Sequence, residues 1–345
     1  MAISPEGTKP RVRRSSGRIT LADVARTAGV APMTASRALN SPATVNPDMV
    51  ERVRRAVIET GYVPNLLAGA LASARSLLVA VVVPSIASTI YLEFVQALRG
   101  ALASRGYQVI LGESDYAHQS EPALLEALIA RRPDAIVTVG AVRSEAGRKR
   151  LLASAIPVIE TWDMTVEPVD MLVGFSQEDV GRAAADFFFD AGRRSLAIIS
   201  ASDDRAAMRA QGFLAAIRAR NPGTEVPSVL IPAPSTLGAG RRAFVDLLTR
   251  HASIDAVFCT SDMVALGVLT EAKARGLRIP ADVAVMGFGD LNFACDTDPP
   301  LTTIRADGKT IGREAARLIL ERSGATAPTE RIVDVGFSVV KRASA

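Results

Sequence analysis

Between residues 77 and 289, nine short runs are predominantly apolar: 77–84, 107–113, 135–140, 157–161, 171–175, 196–200, 228–233, 256–261 and 283–289. Stretches with helical periodicity lie between most of them, near 90–105, 120–132, 178–191, 205–220, 238–250 and 262–275. A strand that is apolar on both faces must be covered on both. A parallel sheet held between layers of helix does this. Nine such strands are many for one sheet, so two α/β lobes with a cleft between them are expected. Ligands of such lobes sit at the C-terminal ends of the strands.

Residues 19–40, ITLADVARTAGVAPMTASRALN, follow different rules. Thr20 can cap a helix whose first turn holds Asp23. Leu21, Val24, Ala25 and Ala28 share one face at helical spacing. Gly29 can take the positive φ that ends the helix, and Val30 can fill the corner. Pro32 suits the first turn of a second helix. That helix carries Met33, Thr34, Ser36 and Arg37, which could meet bases and phosphates. Two helices joined so tightly form the unit called helix-turn-helix, although the pattern alone also fits an ordinary helical hairpin. A third helix is predicted over 47–60, with Asn46 as cap, Pro47 at its first position and Gly61 as terminator. Val50, Val53, Val57 and Ile58 could close a small three-helix core.

Charge follows the same division. Residues 1–76 hold 11 Lys and Arg against 5 Asp and Glu, whereas the rest of the chain holds 29 against 31. A basic head on a mildly acidic body is the footprint of a nucleic-acid reader with a second module. Lys9, Arg11, Arg13 and Arg14 lie among Ser, Gly and Pro in residues 1–17. That segment reads as a disordered basic arm; a neutral start-site extension is the other reading. It has no apolar core of a secretory signal. No apolar run approaches 18 residues, so no membrane span is expected. Cys259 and Cys295 have no metal spacing, and Cys259 reads as a buried core thiol in a cytoplasmic protein.

The motifs TLADVARTAGV, TASRALN, GYVPN with Leu71 and Ala72, SDMVALG (261–267) and PPLTTIRAD (299–307) occur in this order. As an ordered set they resemble the lac repressor family of bacterial transcription regulators, over the chain from about Arg18 onward. PMT (32–34), VGF (173–175) and VFCTSD (257–262) are similar to the gluconate-responsive branch of that family. The resemblance implies an all-α helix-turn-helix head over 18–64 and a hinge helix or linker over 65–76. It implies a periplasmic-binding-protein-like effector and dimerisation domain over 77–345. Lobe 1 would take about 77–174 and 305–325, and lobe 2 about 175–303 and 326–345, with crossovers near 173–176, 303–306 and 324–328.

On the DNA side, Pro32 and Met33 match family positions that discriminate bases. Neither can make a bidentate hydrogen bond, so apolar contact with a thymine methyl is expected; partial core packing is the alternative for Met33. Arg37 matches a family arginine able to reach guanine N7 and O6. Thr34, Ser36 and Asn40 would hold phosphate, and Thr20 and Asn65 complete the expected contacts. Ala31 stands where a Ser or Thr cap is usual, which costs about 1 kcal/mol of capping. Leu71 matches the leucine that wedges into the minor groove and kinks the duplex; linker packing is its other reading. Gly69 and the shortness of that segment predict a helix that forms only on an operator. The operator would be a near-palindromic DNA duplex read by a homodimer.

On the effector side, Arg209 matches the family's ligand-gripping arginine, and its planar fork suits a carboxylate or two hydroxyls. Asp262 matches a ligand-contacting position but could instead cap its helix. Glu160 and Trp162 follow a strand end. Trp162 could hold a sugar ring or pack between lobes. Tyr91 and Ser85 are further candidates. Gly289 stands where many sugar-binding members carry Asp. Its loss removes negative charge and, with Arg209 kept, tilts the cleft toward a sugar acid such as gluconate, ahead of a neutral monosaccharide. Enzymatic readings fare poorly. Gly287 and Gly289 make no dinucleotide fingerprint. No phosphate loop or Gly-x-Ser-x-Gly elbow is present, and of the two histidines, His118 and His251 both read as solvated. No catalysis, metal or cofactor is expected. The competing reading is a sugar sensor that only tethers to DNA non-specifically.

Overall fold

The computed structural model describes residues 19–63, 75–116, 119–251, 253–322 and 330–345. The expected basic arm, the hinge with Asn65 and Leu71, and His118 lie outside the described residues. The chain divides into two compact units, Met1–Ser76 and Leu77–Ala345.

The head holds α1 (Leu21–Ala28), α2 (Pro32–Asn40) and α3 (Pro47–Thr60). Local chemistry sets each boundary. The Asp23 carboxylate accepts from the Thr20 amide at 2.9 Å and from its hydroxyl at 2.7 Å. These bonds, the hydroxyl's first, hold the Asp23 pKa below its ordinary value. Gly29 ends α1 at φ 62°, which frees Val30 N to bond Ala25 O at 3.0 Å. Arg52 reaches from α3 and donates to Ala28 O at 2.6 Å and Gly29 O at 3.1 Å, so α3 satisfies the carbonyls left over at the turn. Val24, Ala25, Ala28, Ala35, Ala38, Val50, Val53 and Ala56 form the core. Ile58, expected there, is 81% exposed. The inward stripe runs through 50, 53, 56 and 57, and one further residue turns the side chain outward.

Among its described residues the body contains twelve strands in two six-stranded sheets. Lobe 1 is built from β1 (Leu78–Val83), β2 (Gln108–Glu113), β3 (Ala135–Val139), β4 (Val158–Thr161), β5 (Met171–Gly174) and β11 (Ile332–Asp334). Their order is β11-β5-β4-β3-β1-β2, and every pairing is parallel. Lobe 2 is built from β6 (Leu196–Ala201), β7 (Ser228–Ile231), β8 (Ala256–Cys259), β9 (Ala284–Phe288), β10 (Thr302–Arg305) and β12 (Ser338–Val340). Their order is β12-β10-β9-β8-β6-β7, and only β12 runs antiparallel. The helices are α4 (Leu92–Ala103), α5 (Glu121–Ile129), α6 (Glu145–Ser154), α7 (Gln177–Asp190), α8 (Asp204–Arg220), α9 (Leu237–Arg250), α10 (Asp262–Ala274) and α11 (Gly308–Arg322).

Three strands and two helices go beyond the sequence reading: β10, β11, β12, α6 and α11. The last crossing between lobes is also corrected. β11 still belongs to the first sheet and β12 to the second, so the chain crosses between Asp334 and Ser338, not near 324–328. The other two crossings fall between β5 and α7 and between β10 and α11. The edge strands β2 and β7 are half-exposed, unlike the strands they flank, because each has a partner on one side only. Cys259 is buried and Cys295 exposed.

Candidate functional site

A cavity of about 280 Å³ opens between the lobes at the C-terminal ends of their strands. Its walls come from the loop after β1 (Ala87–Tyr91), from Trp162 after β4, from Ala201 and Asp203 at the end of β6, from Thr260 and Ser261 after β8, and from Phe288. Helix α8 supplies Arg205 and Arg209, which lie one turn apart on the same face.

Close helix packing brings the polar groups together. At Gly181 of α7 and Gly212 of α8 a Cβ would collide with the facing backbone, at the Arg209 and Glu178 carbonyls respectively. Only this approach lets the first residue of α7, Gln177, meet Arg209. The Gln177 side-chain oxygen accepts from Arg209 Nη1, and its amide nitrogen donates to the Trp162 carbonyl in lobe 1 at 2.7 Å. Arg209 Nη2 donates to Thr260 O at 3.0 Å, and the guanidinium lies 4.1 Å from the Phe288 ring centroid. Burial pulls the Arg209 pKa down to about 10, so it stays charged at neutral pH.

Arg205 donates to Val139 O at 3.3 Å and to the Tyr91 hydroxyl at 3.1 Å. Tyr91 meets Trp162 edge-on, centroids 5.2 Å apart. Trp162 is held at φ 65°, a strained backbone for a bulky residue. Asp203 caps α8 by accepting from Ala206 N at 3.0 Å.

Among the described residues, two buried side-chain polar atoms lack a hydrogen-bond partner: Trp162 Nε1 and Arg209 Nε. Both are N–H donors on side chains that line this cavity. Among the described residues neither Arg205 nor Arg209 forms a salt bridge, although both are buried; the Asp203 carboxylate acts on both only at a longer distance. The arrangement offers unpartnered N–H donors and two cationic side chains to the cavity, which hydrogen-bond acceptors and negative charge can meet.

The structure separates the candidate effector residues. Arg209, Trp162 and Tyr91 come together in this cavity. Ser85 instead lines a neighbouring cleft with Glu113, Asp115 and Tyr116. Glu160 is corrected: it is fully buried, its oxygens accept from Val142 N and Val169 N at 2.7 Å, and it does not face the cavity. Burial raises its pKa. Asp262 also lies behind the wall, with Oδ1 accepting from the Thr303 hydroxyl at 2.6 Å and Oδ2 from Leu291 N at 2.7 Å. Its carboxylate therefore ties α10 to β10 and to the Leu291 loop; Ser261 Oγ caps α10, accepting from Val264 N at 3.3 Å. At Gly289, φ is 127° and a Cβ would lie 3.2 Å from Ile90 Cδ1, so Ile90 occupies the room an acidic side chain would need. Arg205, Gln177, Asp203 and Tyr116 were not singled out in the sequence. The four-residue spacing of Arg205 and Arg209 after a strand was a legible signal; nothing local marked Gln177.

On α2, Pro32, Met33, Arg37 and Asn40 are exposed, Thr34 and Ser36 are half-buried, and Ala35 and Ala38 face the core. Met33 is 65% exposed, so core packing does not hold it. Thr20 is exposed at the start of α1. No helix among the described residues is long and apolar enough to cross a membrane, and no metal-binding cluster is found among them.

Residues 20–65 match the family described as bacterial regulatory proteins, lacI family, and residues 185–345 match a periplasmic binding protein-like domain. The chain is 39% identical over 335 residues to the HTH-type transcriptional regulator GntR of Pseudomonas aeruginosa, covering 96% of this chain and 97% of that one. It is 27% identical to GntR of Escherichia coli, over 93% and 97%. A LacI-family transcriptional regulator from Silicibacter pomeroyi superposes with a TM-score of 0.88 at 32% identity, over 94% of this chain and 99% of that one. The lac repressor dimer bound to operator and the anti-inducer ONPF superposes with a TM-score of 0.80 at 25% identity, over 95% and 99%. These relatives are transcriptional regulators, not enzymes. With a helix-turn-helix head, a two-lobed α/β body and a relative of this similarity along its whole length, the chain belongs to the lacI family of DNA-binding bacterial transcription regulators.

Proposed function

We propose that this regulator is a repressor whose hold on a near-palindromic operator is controlled by a sugar acid, gluconate-like, bound between the lobes. The observation that carries the reading is the pair of unpartnered buried donors, Trp162 Nε1 and Arg209 Nε, in a cavity with two guanidinium groups that form no salt bridge among the described residues. A buried unpaired charge costs several kcal/mol. A carboxylate supplies both the counter-charge and the missing acceptors, while Asp203 and Thr260 offer acceptors for hydroxyls. The exposed face of α2 would read bases through Met33 and Arg37 in the major groove, in a homodimer acting on the nucleoid in the cytoplasm. Exposed leucines on the sheet edges, Leu111 on β2 and Leu230 on β7, suit a symmetric partner. The acid is expected to release the operator.

Isothermal titration of the full-length protein with gluconate, related aldonic and keto acids, and neutral hexoses tests this. Saturable binding of acids, followed by loss of operator binding in a gel shift, is the expected result. Binding of neutral hexoses alone would overturn the acid reading and leave the regulator intact.

A further inference from the structure

Arg205 is not placed like its neighbour Arg209. Its guanidinium leaves lobe 2 and docks on lobe 1, where both of its hydrogen-bond acceptors lie: Val139 O at the end of β3 and the Tyr91 hydroxyl in the loop before α4. The face of the Tyr91 ring sits 5.9 Å from the guanidinium carbon. Lobe 1 is shaped for this visitor. The residue after Val139 is Gly140, at φ 95°, and a Cβ there would collide with Arg205 Nη1. A notch, a carbonyl and a hydroxyl on one lobe thus receive a buried cation from the other.

A second arginine crosses in the opposite direction. Arg143 of lobe 1 reaches Asp204 of lobe 2 at 3.0 Å and Asp163 of its own lobe at 3.3 Å. Arg143 and Asp204 are both more than two-fifths exposed, so solvent and salt screen their attraction. Arg205 and its two acceptors are buried while the lobes are together, so water and salt do not compete for these bonds in the closed form. Of the two arginine crossings Arg205 is the one shielded from solvent; Gln177 adds a neutral crossing, donating to the Trp162 carbonyl at 2.7 Å.

We infer that Arg205 is a positioning residue that bolts the lobes together across the effector cavity before any ligand arrives. The empty protein is thereby biased toward the closed form, and the ligand meets a preassembled pair of walls. The claim that closure serves effector binding rests on the function proposed above; the bolt itself does not. Affinity falls in proportion to the fraction of molecules that are closed. Losing the bolt therefore weakens ligand binding; because Arg205 also lines the cavity, the bolt is read on the ligand-free protein.

Hydrogen exchange on the ligand-free, full-length protein tests the bolt without reference to any effector. In Arg205→Met, amides of segments 88–91 and 139–142 should exchange roughly tenfold faster or more, with circular dichroism unchanged. Tyr91→Phe, which keeps the ring but loses the acceptor, should give part of that rise and add nothing to Arg205→Met. Arg205→Lys, which keeps the charge and can reach one acceptor, should restore part of the protection. If Arg205→Met fails to fold, the Lys and Phe variants carry the comparison. Wild-type protection in all folded variants, or full additivity of the Met and Phe effects, would overturn the inference. Absence of gluconate binding to the wild type would sink the ligand assignment and leave these exchange results standing.

Discussion

The guanidinium of Arg209 lies 4.1 Å from the centre of the Phe288 ring, with Gln177 and Thr260 holding two of its nitrogens. The ring face and two neutral acceptors fix its position without neutralising it, and its Nε is left unpartnered.

Substituting Arg209 by Met should separate binding from stability. Affinity for the acid ligand should fall roughly 10- to 100-fold, the worth of a charge-assisted pair. The unfolding temperature of the empty protein should stay level or rise, because a buried unpaired charge has gone. Titration and thermal unfolding together check this. A marked drop in unfolding temperature would mean that Arg209 mainly holds the fold.

Placing Asp at position 289 should not create a sugar site. The backbone there has φ 127°, and Ile90 Cδ1 lies 3.2 Å from where the Cβ would be. We expect Gly289→Asp to cost roughly 1–3 kcal/mol of stability and to weaken acid binding. Adding Ile90→Ala should not relieve the backbone strain. Thermal unfolding of both variants decides the matter; an unchanged midpoint in the single variant contradicts it.

Asp262 should make stability depend on pH. Burial is the largest cause that raises its carboxyl to about 6, from an ordinary 3.8. Between those values the folded state binds more proton than the unfolded one, so this group's stabilising contribution is complete below about pH 4 and declines as pH rises to about 6. The shift corresponds to roughly 2–3 kcal/mol. Asp262→Asn can still accept from Leu291 N and can donate to the Thr303 hydroxyl. It should remove this slope and be the more stable form above pH 7. Denaturant unfolding across pH 4–8 measures it, and parallel slopes in the two proteins would refute it.

Arg37→Ala should cost roughly 1–3 kcal/mol of operator binding and relax preference at one base pair in each half-site. Met33→Ala should loosen a second position while the helix stays folded, because that side chain is exposed. Competition binding against single-base operator variants reads both. A uniform loss across all sequences would assign Arg37 to phosphate.

Much of this was open to inspection in the sequence because the signals were local. The third helix is found at Pro47–Thr60, as its cap, first-turn proline and terminal glycine imply. The predominantly apolar runs announced parallel strands. Elsewhere local signals were thin. β11 and β12 have three residues each and lie at sheet edges, so no periodicity marks them. The third crossing, between Asp334 and Ser338, therefore has no local mark in the sequence. Ile58 lay one residue beyond an inward stripe.

The sequence by itself determined the helix-turn-helix head, the α/β body and the charged groups available to a ligand. Each follows from periodicity, caps and composition within a few residues. Only the tertiary structure decided what those charged groups do. Glu160 turns to two backbone amides, Asp262 to Thr303 and Leu291, Arg205 to Val139 and Tyr91 across the cleft, and Arg209, like Trp162, keeps an unpartnered nitrogen at the cavity. A buried polar group is defined by the partner that satisfies it. Here those partners come from strand ends and loops up to 114 residues away along the chain.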